Sequence, residues 1–272
     1  MTKLRFIRQG QSLSIDPLSP SFAHGVGLFE TMRLKARQLF FFQRHWLRIQ
    51  QSAQQLGYEL SCDSQAVIDT IGALVDADQL EDACVKLALI EDVDGGTQLL
   101  VYARPSTRVP ESIALYYDAD YPINAHARLA GHKTHNYMEH RLLHARAREL
   151  GYYDQIRINT QGAVSETTVG NLFLVHGDSL STAAEETGLL PGVARATILE
   201  RQAVQLDAHI TSAQLMSADA IFLTNSVVGV LPVHRIGFAH GAQQSYSSAI
   251  HARVSDLQKQ FETWQASESL SF

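Results

Sequence analysis

Lys133-Thr134-His135-Asn136-Tyr137 leads into an amphipathic stretch, and some thirty residues later the chain reads Ser165-Glu166-Thr167-Thr168-Val169-Gly170-Asn171-Leu172-Phe173. The spacing predicts a helix over 136–150 closed by Gly151, then strands over 153–159 and 172–176. Glu166 falls among residues expected to be buried, and a carboxylate there needs a cation. Lys133 is one of only five lysines, the others being Lys3, Lys35, Lys86 and Lys259.

Working outward, Gly188-Leu189-Leu190-Pro191-Gly192 is a turn that opens a helix running to about 206. Strands near 220–224 and 230–235 follow, and a terminal helix is expected over 244–264. Upstream lies a strand at 112–117, preceded by Arg104-Pro105-Ser106-Thr107-Arg108-Val109-Pro110, whose two prolines interrupt both periodicities. Before it, strands at 83–90 and 97–103 flank a turn at Asp94-Gly95-Gly96. Apolar residues at 46, 49, 53 and 56 predict a helix over 44–56 that Gly57 ends, and a second helix over 64–75 has Asp63 as its cap. Alternation over 27–35 and 38–42 predicts a hairpin, and 4–8 and 13–15 read as short strands before a break at 17–20. The fold class expected is α/β (α+β) in two domains: a small one over 1–104, a linker at 105–111, and a larger one over 112–272.

A chain of 272 residues exceeds a typical single domain of about 100–150, which favours two. With 45% hydrophobic and 18% charged residues it is too apolar for disorder. The net charge of −6, with no basic cluster to offset it, argues against nucleic acid or an anionic membrane surface as a partner. No window of about eighteen apolar residues predicts a membrane span. Cys62 and Cys84 lack metal-knuckle or redox spacing and read as reduced thiols of a cytoplasmic protein.

The combination of an isolated lysine and a buried acid suits pyridoxal 5'-phosphate (PLP), a cofactor with four needs: an amine to hold its aldehyde, a partner for its pyridine nitrogen, a phosphate cup, and a means of fixing the substrate's carboxylate. Lys133 answers the first, because burial would favour a free, nucleophilic amine. Glu166 answers the second. The helix start at Gly192 offers backbone N–H groups and the positive end of a dipole to a phosphate. Thr224-Asn225-Ser226 adds hydroxyls, and Arg48 a cation. Each signal alone also has a structural reading: a surface lysine, a glutamate paired with an arginine, an ordinary helix start.

Their order and content resemble the class IV aminotransferase-fold enzymes, which include branched-chain aminotransferases, D-amino-acid aminotransferases and aminodeoxychorismate lyases. The resemblance runs from about Phe22 to Val233. A Gly-x-Gly-x-Phe-Glu strand before a His-x-x-Arg helix is matched by Gly25-Val26-Gly27-Leu28-Phe29-Glu30 and His45-Trp46-Leu47-Arg48. The resemblance implies that Arg48 binds the PLP phosphate, Lys133 carries the Schiff base, and Glu166 holds the pyridine nitrogen. Val193 and Ala194 become backbone phosphate donors, Ser226 a phosphate-binding hydroxyl, and Tyr137 a cofactor-flanking ring. It also implies a homodimer. Glu30-Thr31-Met32-Arg33 and Ser165-Glu166-Thr167-Thr168 look most like the lyases, which release pyruvate from 4-amino-4-deoxychorismate to give p-aminobenzoate for folate synthesis. Glu30, Thr31, Arg33, Arg104 and Arg108 are the substrate-side candidates. The chain departs from the family at Pro20-Ser21-Phe22 and Val26, where an Asp-Arg-Gly lead-in and an aspartate are usual. It also lacks the glycine often found in the 104–108 loop.

The same scaffold would serve an aminotransferase of branched-chain or D-amino-acid type, and a binding protein that kept the fold without catalysis is a third reading. Gly25-Val26-Gly27 does not read as a dinucleotide loop, because Glu30 occupies the third glycine position and a strand follows. His140 and His144 lie one helical turn apart, but Arg141 stands where a zinc hydrolase needs glutamate, so no metal is expected.

Overall fold

The computed structural model describes residues 2–272 and divides into two compact units. Unit one comprises 1–108, 132–137 and 265–272; unit two comprises 109–131 and 138–264. The first division falls between Arg108 and Val109. The chain also returns twice to the first unit, so the Lys133 segment and the last eight residues belong with 1–108, whereas the sequence had assigned them to the second domain.

Unit one is a six-stranded sheet with its two longer helices on one face. Its elements are β1 (Lys3–Ile7), α1 (Pro20–His24), β2 (Gly27–Lys35), β3 (Gln38–Phe40), α2 (Phe42–Leu56), α3 (Ser64–Ala77), β4 (Asp82–Glu91), β5 (Thr97–Pro105) and, from the chain end, β15 (Ser269–Ser271). The strand order is β1-β5-β4-β2-β3-β15. Alternation decides which face is buried. Leu28, Met32 and Leu34 of β2, Val85, Leu87 and Leu89 of β4, and Leu99 and Val101 of β5 form one core with Trp46, Ile49 and Ala53 of α2 and Ile71 and Leu74 of α3. Burying each such side chain stabilises by roughly 1.5–3 kcal/mol. Asp63 caps α3 by accepting from the Gln65 and Ala66 N–H groups, and α2 ends on Gly57 in the left-handed region.

The opposite sheet face carries the alternate residues. Three registered rows cross β2, β4 and β5: Phe29-Ala88-Leu100, Thr31-Lys86-Tyr102 and Arg33-Cys84-Arg104. The first row forms a small apolar cluster with Ile7, Leu13, Ile90, Tyr102 and Tyr137. Residues 13–15 pack here as coil, not as the expected strand, and Pro20 starts the short helix α1 behind a Ser19 cap.

Unit two is a nine-stranded mixed sheet. It contains β6 (Ile113–Tyr117), α4 (Met138–Glu149), β7 (Asp154–Ile158), β8 (Val164–Thr167), β9 (Asn171–His176), β10 (Ser179–Ala183), α5 (Val193–Arg201), β11 (Gln205–Asp207), α6 (Ser212–Ser217), β12 (Ala220–Asn225), β13 (Gly229–Phe238), β14 (Gln243–Ser245) and α7 (Ala252–Ser267). The order is β11-β10-β9-β12-β13-β6-β7-β8, with β14 on β13. Its core runs through Leu115, Ile156, Val164, Leu174, Ile221, Leu231 and Val233. Two expected helices are shorter here. The helix after Gly192 stops at Arg201 because the chain turns into β11, and the terminal helix begins at Ala252 because 243–245 pair with β13.

Candidate functional site

Lys133 is fixed to the start of β2 by its backbone. Its carbonyl accepts the Phe29 N–H at 2.9 Å, His135 donates its N–H to Gly27 O at 2.9 Å, and Leu28 and Thr134 form a bridge. Two glycines admit this close approach. A Cβ at Gly27 (φ +151°) would lie 2.5 Å from Leu89 O and 2.7 Å from His135 Nδ1; at Gly25 (φ +66°) it would lie 3.2 Å from Asn136 Oδ1. The Gly-x-Gly pattern is therefore a landing place for the lysine segment.

So anchored, Lys133 places its Nζ 4.5 Å from the centroid of the Phe29 ring and 5.5 Å from that of Tyr137. Tyr137 meets Phe29 edge-on at 5.4 Å. Lys86, which the sequence reading passed over, has its Nζ 4.5 Å from the same Phe29 centroid. His135 is the other group missed. Burial, and then the charge of Lys86, pushes its imidazole down to about 4, so it is neutral at physiological pH.

Glu30 faces the other way, into the helix-covered core. Arg48 donates to it through two nitrogens, at 2.7 and 2.6 Å, and His45 Nδ1 stands 2.7 Å away. Burial would raise the Glu30 carboxyl. The charge of Arg48, with the hydrogen bonds from His45 and Arg48, overcomes this and holds it well below the usual carboxylate range. Burial outweighs Glu30 at His45, whose own pKa is lowered, so His45 is best described as a neutral ring donating through Nδ1. The structure thus directs Glu30 to Arg48, as the positioning group of the arginine, and not to the open face where a substrate contact was expected.

The other expected substrate residues lie at or beyond the open face. Thr31 sits beside Lys86, Arg33 is 3.5 Å from Asp82, and Arg104 and Arg108 are exposed. Arg104 lines a cavity of about 560 Å³ together with Ile7, Leu13, Leu100, Tyr102 and His135.

Unit two holds the remaining candidates. Glu166 is buried on β8 and accepts the Leu190 N–H at 3.0 Å; His140 Nε2 lies 3.9 Å from its other oxygen. No arginine pairs with it among the described residues. Arg157, its partner in the strand register, reaches Glu139 and His140 instead. Val193 and Ala194 are the buried first residues of α5, whose N-cap Gly192 supplies no side-chain bond. A Cβ at Gly192 would lie 2.2 Å from Asn171 Oδ1, and Asn171 is registered with Thr224, whose buried hydroxyl has no hydrogen-bond partner among the described residues. Ser226 follows in a tight turn where Asn225 Oδ1 accepts the N–H groups of Val227 and Val228. An uncapped helix start and an orphaned hydroxyl, both adjoining Asn171, fit an anion such as a phosphate.

Among the described residues no His, Cys, Asp and Glu cluster suits a metal ion, and no helix is long and apolar enough to cross a membrane.

The chain is 25% identical to an aminodeoxychorismate lyase of Bacillus subtilis over 251 residues, covering 85% of this chain and 84% of that one. To the aminodeoxychorismate lyase of Vibrio harveyi it is 27% identical over 234 residues, 79% and 85% of the two chains. A solved structure of a provisionally named 4-amino-4-deoxychorismate lyase of Legionella pneumophila superposes with a TM-score of 0.86 at 25% identity, over 96% of this chain and 99% of that one. A branched-chain aminotransferase of Thermoproteus uzoniensis shares the fold, with a TM-score of 0.83 at 20% identity over 96% and 95%. The sequence profile of amino-transferase class IV matches residues 27–236, well over half of the chain, and the protein belongs to that family.

Proposed function

We propose that the protein is a PLP-dependent 4-amino-4-deoxychorismate lyase, releasing pyruvate to leave p-aminobenzoate, and that it works as a cytoplasmic homodimer. The observation that carries this is the fixed seat of Lys133: a backbone locked to β2 at two hydrogen bonds, and an amine held over an aromatic ring. The two lyases named above, each aligned over about four-fifths of the chain, support the choice of reaction.

The residues divide the work. Lys133 is the amine that would hold the cofactor and the base that would take the proton from the amine-bearing carbon, next to the carbon that carries the enolpyruvyl oxygen. Arg48, oriented by Glu30, gives a guanidinium for the phosphate, and the α5 N–H groups of Val193 and Ala194, with Ser226 and Thr224, give donors for it. Glu166 keeps a proton on the pyridine nitrogen, a task for which an acid with no arginine partner is suited. Tyr137 flanks the amine. When bound, PLP supplies the electron sink that makes the substrate carbon acidic. The electrons left by that proton expel the enolpyruvyl oxygen, the ring becomes aromatic, and the released enol takes a proton to become pyruvate.

The relatives also include branched-chain and D-alanine aminotransferases, so an amino-group transfer on the same residues is the second reading. Incubating the PLP-loaded chain with 4-amino-4-deoxychorismate and no keto acid separates the two. Equal amounts of pyruvate and p-aminobenzoate are expected; turnover only when a keto acid is added would overturn the lyase assignment.

A further inference from the structure

β15 meets the start of α2 at two points. Its pairing with β3, Leu270 opposite Leu39 and Ser269 opposite Phe40, brings it to the residues just before the helix, where the Phe41 N–H donates to the Glu268 carbonyl at 2.9 Å. The Glu268 carboxylate then accepts from Arg44 through both oxygens, at 2.6 Å from Nε and 3.0 Å from Nη2. The strand is anchored on its far side as well. Phe272 donates its N–H to Arg37 O at 3.1 Å, and Arg37 Nε donates to the Phe272 carbonyl at 2.9 Å. The Phe272 ring lies against α3 at Gly72, where a Cβ would come within 3.1 Å of it.

This start of α2 draws on support from outside the helix. Its N-cap Phe41 sits at φ +59°, a region that residues with side chains seldom occupy, and a phenylalanine ring can offer no cap bond. The first turn holds no acid to meet the positive end of the helix dipole, and Arg44 adds a charge of the wrong sign there. Arg44 also stands four residues before Arg48, so the two guanidinium groups neighbour each other on one helix face and repel. Each is matched by its own acid, Glu268 for Arg44 and Glu30 for Arg48, and in both cases two nitrogens bond two oxygens. Such a fork fixes the plane of a guanidinium as well as its charge. The side chains of Arg44 and Glu268 are only 23 and 26% exposed, which shelters the pair from screening by salt. Without Glu268 the Arg44 charge would face Arg48 unmatched by this acid, at the turn from which Arg48 projects.

We propose that Glu268 is a positioning residue for the phosphate-binding arginine: by pairing with Arg44 at the first turn of α2, it sets the helix so that Arg48 meets Glu30 in the orientation that receives a phosphate. The proposal rests on the reading given above that Arg48 holds the PLP phosphate.

The full-length chain and its variants are titrated with PLP and with pyridoxal, which keeps the ring and aldehyde but has no phosphate, and each affinity is read from the change in cofactor absorbance. Glu268→Gln keeps the shape and removes the charge; it should weaken PLP about tenfold and pyridoxal by less than about threefold. Arg44→Met removes the same pair from the helix side and should act alike. The double variant should bind PLP within about threefold of either single one, because one pair is lost only once. Ser271→Ala, exposed on the same strand, should leave both affinities within about twofold. Arg48→Gln should remove most of the preference for PLP over pyridoxal. Equal weakening of PLP and pyridoxal in Glu268→Gln would make the residue a support of the fold alone and overturn the proposal, as would no weakening of either. Losses that multiply in the double variant would overturn the pairing with Arg44 as the cause. A preference lost in Arg48→Gln but kept in Glu268→Gln sinks the Glu268 role only; a preference kept in Arg48→Gln sinks the phosphate role of Arg48 and the proposal with it.

Discussion

Glu30 and Glu166 are both buried acids on strands, one in each unit, and their surroundings differ in kind. Glu30 has an arginine on both oxygens and a histidine on one; Glu166 has a single backbone N–H and a histidine at 3.9 Å. A buried carboxylate with its charge matched contributes order and is finished. One left under-matched is a place prepared for a cation that arrives later, and a protonated pyridine nitrogen is such a cation. The contrast teaches that burial alone does not mark a functional acid; the shortfall in its partners does.

Exchange of each carboxylate for its amide tests the distinction, because shape is kept and charge removed. Glu166→Gln should leave folding stability within about 1 kcal/mol, since an amide oxygen still accepts from Leu190, yet lower kcat by about 100–1000-fold through loss of charge stabilisation at the cofactor. Urea unfolding and steady-state turnover measure the two sides. A variant that unfolds early but turns over normally once folded would reverse the roles assigned here.

Glu30→Gln should do the opposite in the first measurement. It removes the charge that Arg48 and buried His45 face and should cost about 3 kcal/mol, seen as a lower urea midpoint. Phosphate affinity should fall with it, because Arg48 loses the partner that orients its fork. The stability that Glu30 adds is complete above the ordinary carboxylate range and disappears as pH falls through and below it, since the folded pKa is depressed.

Much of this was legible from the chain itself, for local reasons. The α2 and α3 helices declare themselves through apolar spacing, an Asp63 cap and a Gly57 stop, and β2, β4 and β5 through alternation and turns. Ser179–Ala183 and Gln205–Asp207 carry no such pattern; they are strands because β9 offers an edge to the first and the first offers one to the second. The hardest feature was the seat of Lys133. Leu28 and Thr134 are about a hundred residues apart, and no periodicity reports a pairing over that distance. The signal available was Gly25-Val26-Gly27, two missing side chains ahead of a strand, which shows that something approaches without saying what.

His135 offers the finest test of burial acting on a base. Burial and the Lys86 charge lower its pKa to about 4, whereas an unfolded chain restores the usual value near 6.5. Between those two values the unfolded state binds a proton that the folded state refuses, so stability should decline as pH falls from about 6.5 to 4 and level off below. His135→Leu should make that part of a pH series of urea midpoints shallower, leaving the share that buried His45 contributes, without changing the steeper acid limb that Glu30 and other carboxylates produce. Lys86→Met should soften the same decline by a smaller amount, since burial is the larger cause and the lysine the lesser. A decline of unchanged steepness in His135→Leu would assign the titration to His45 or another group.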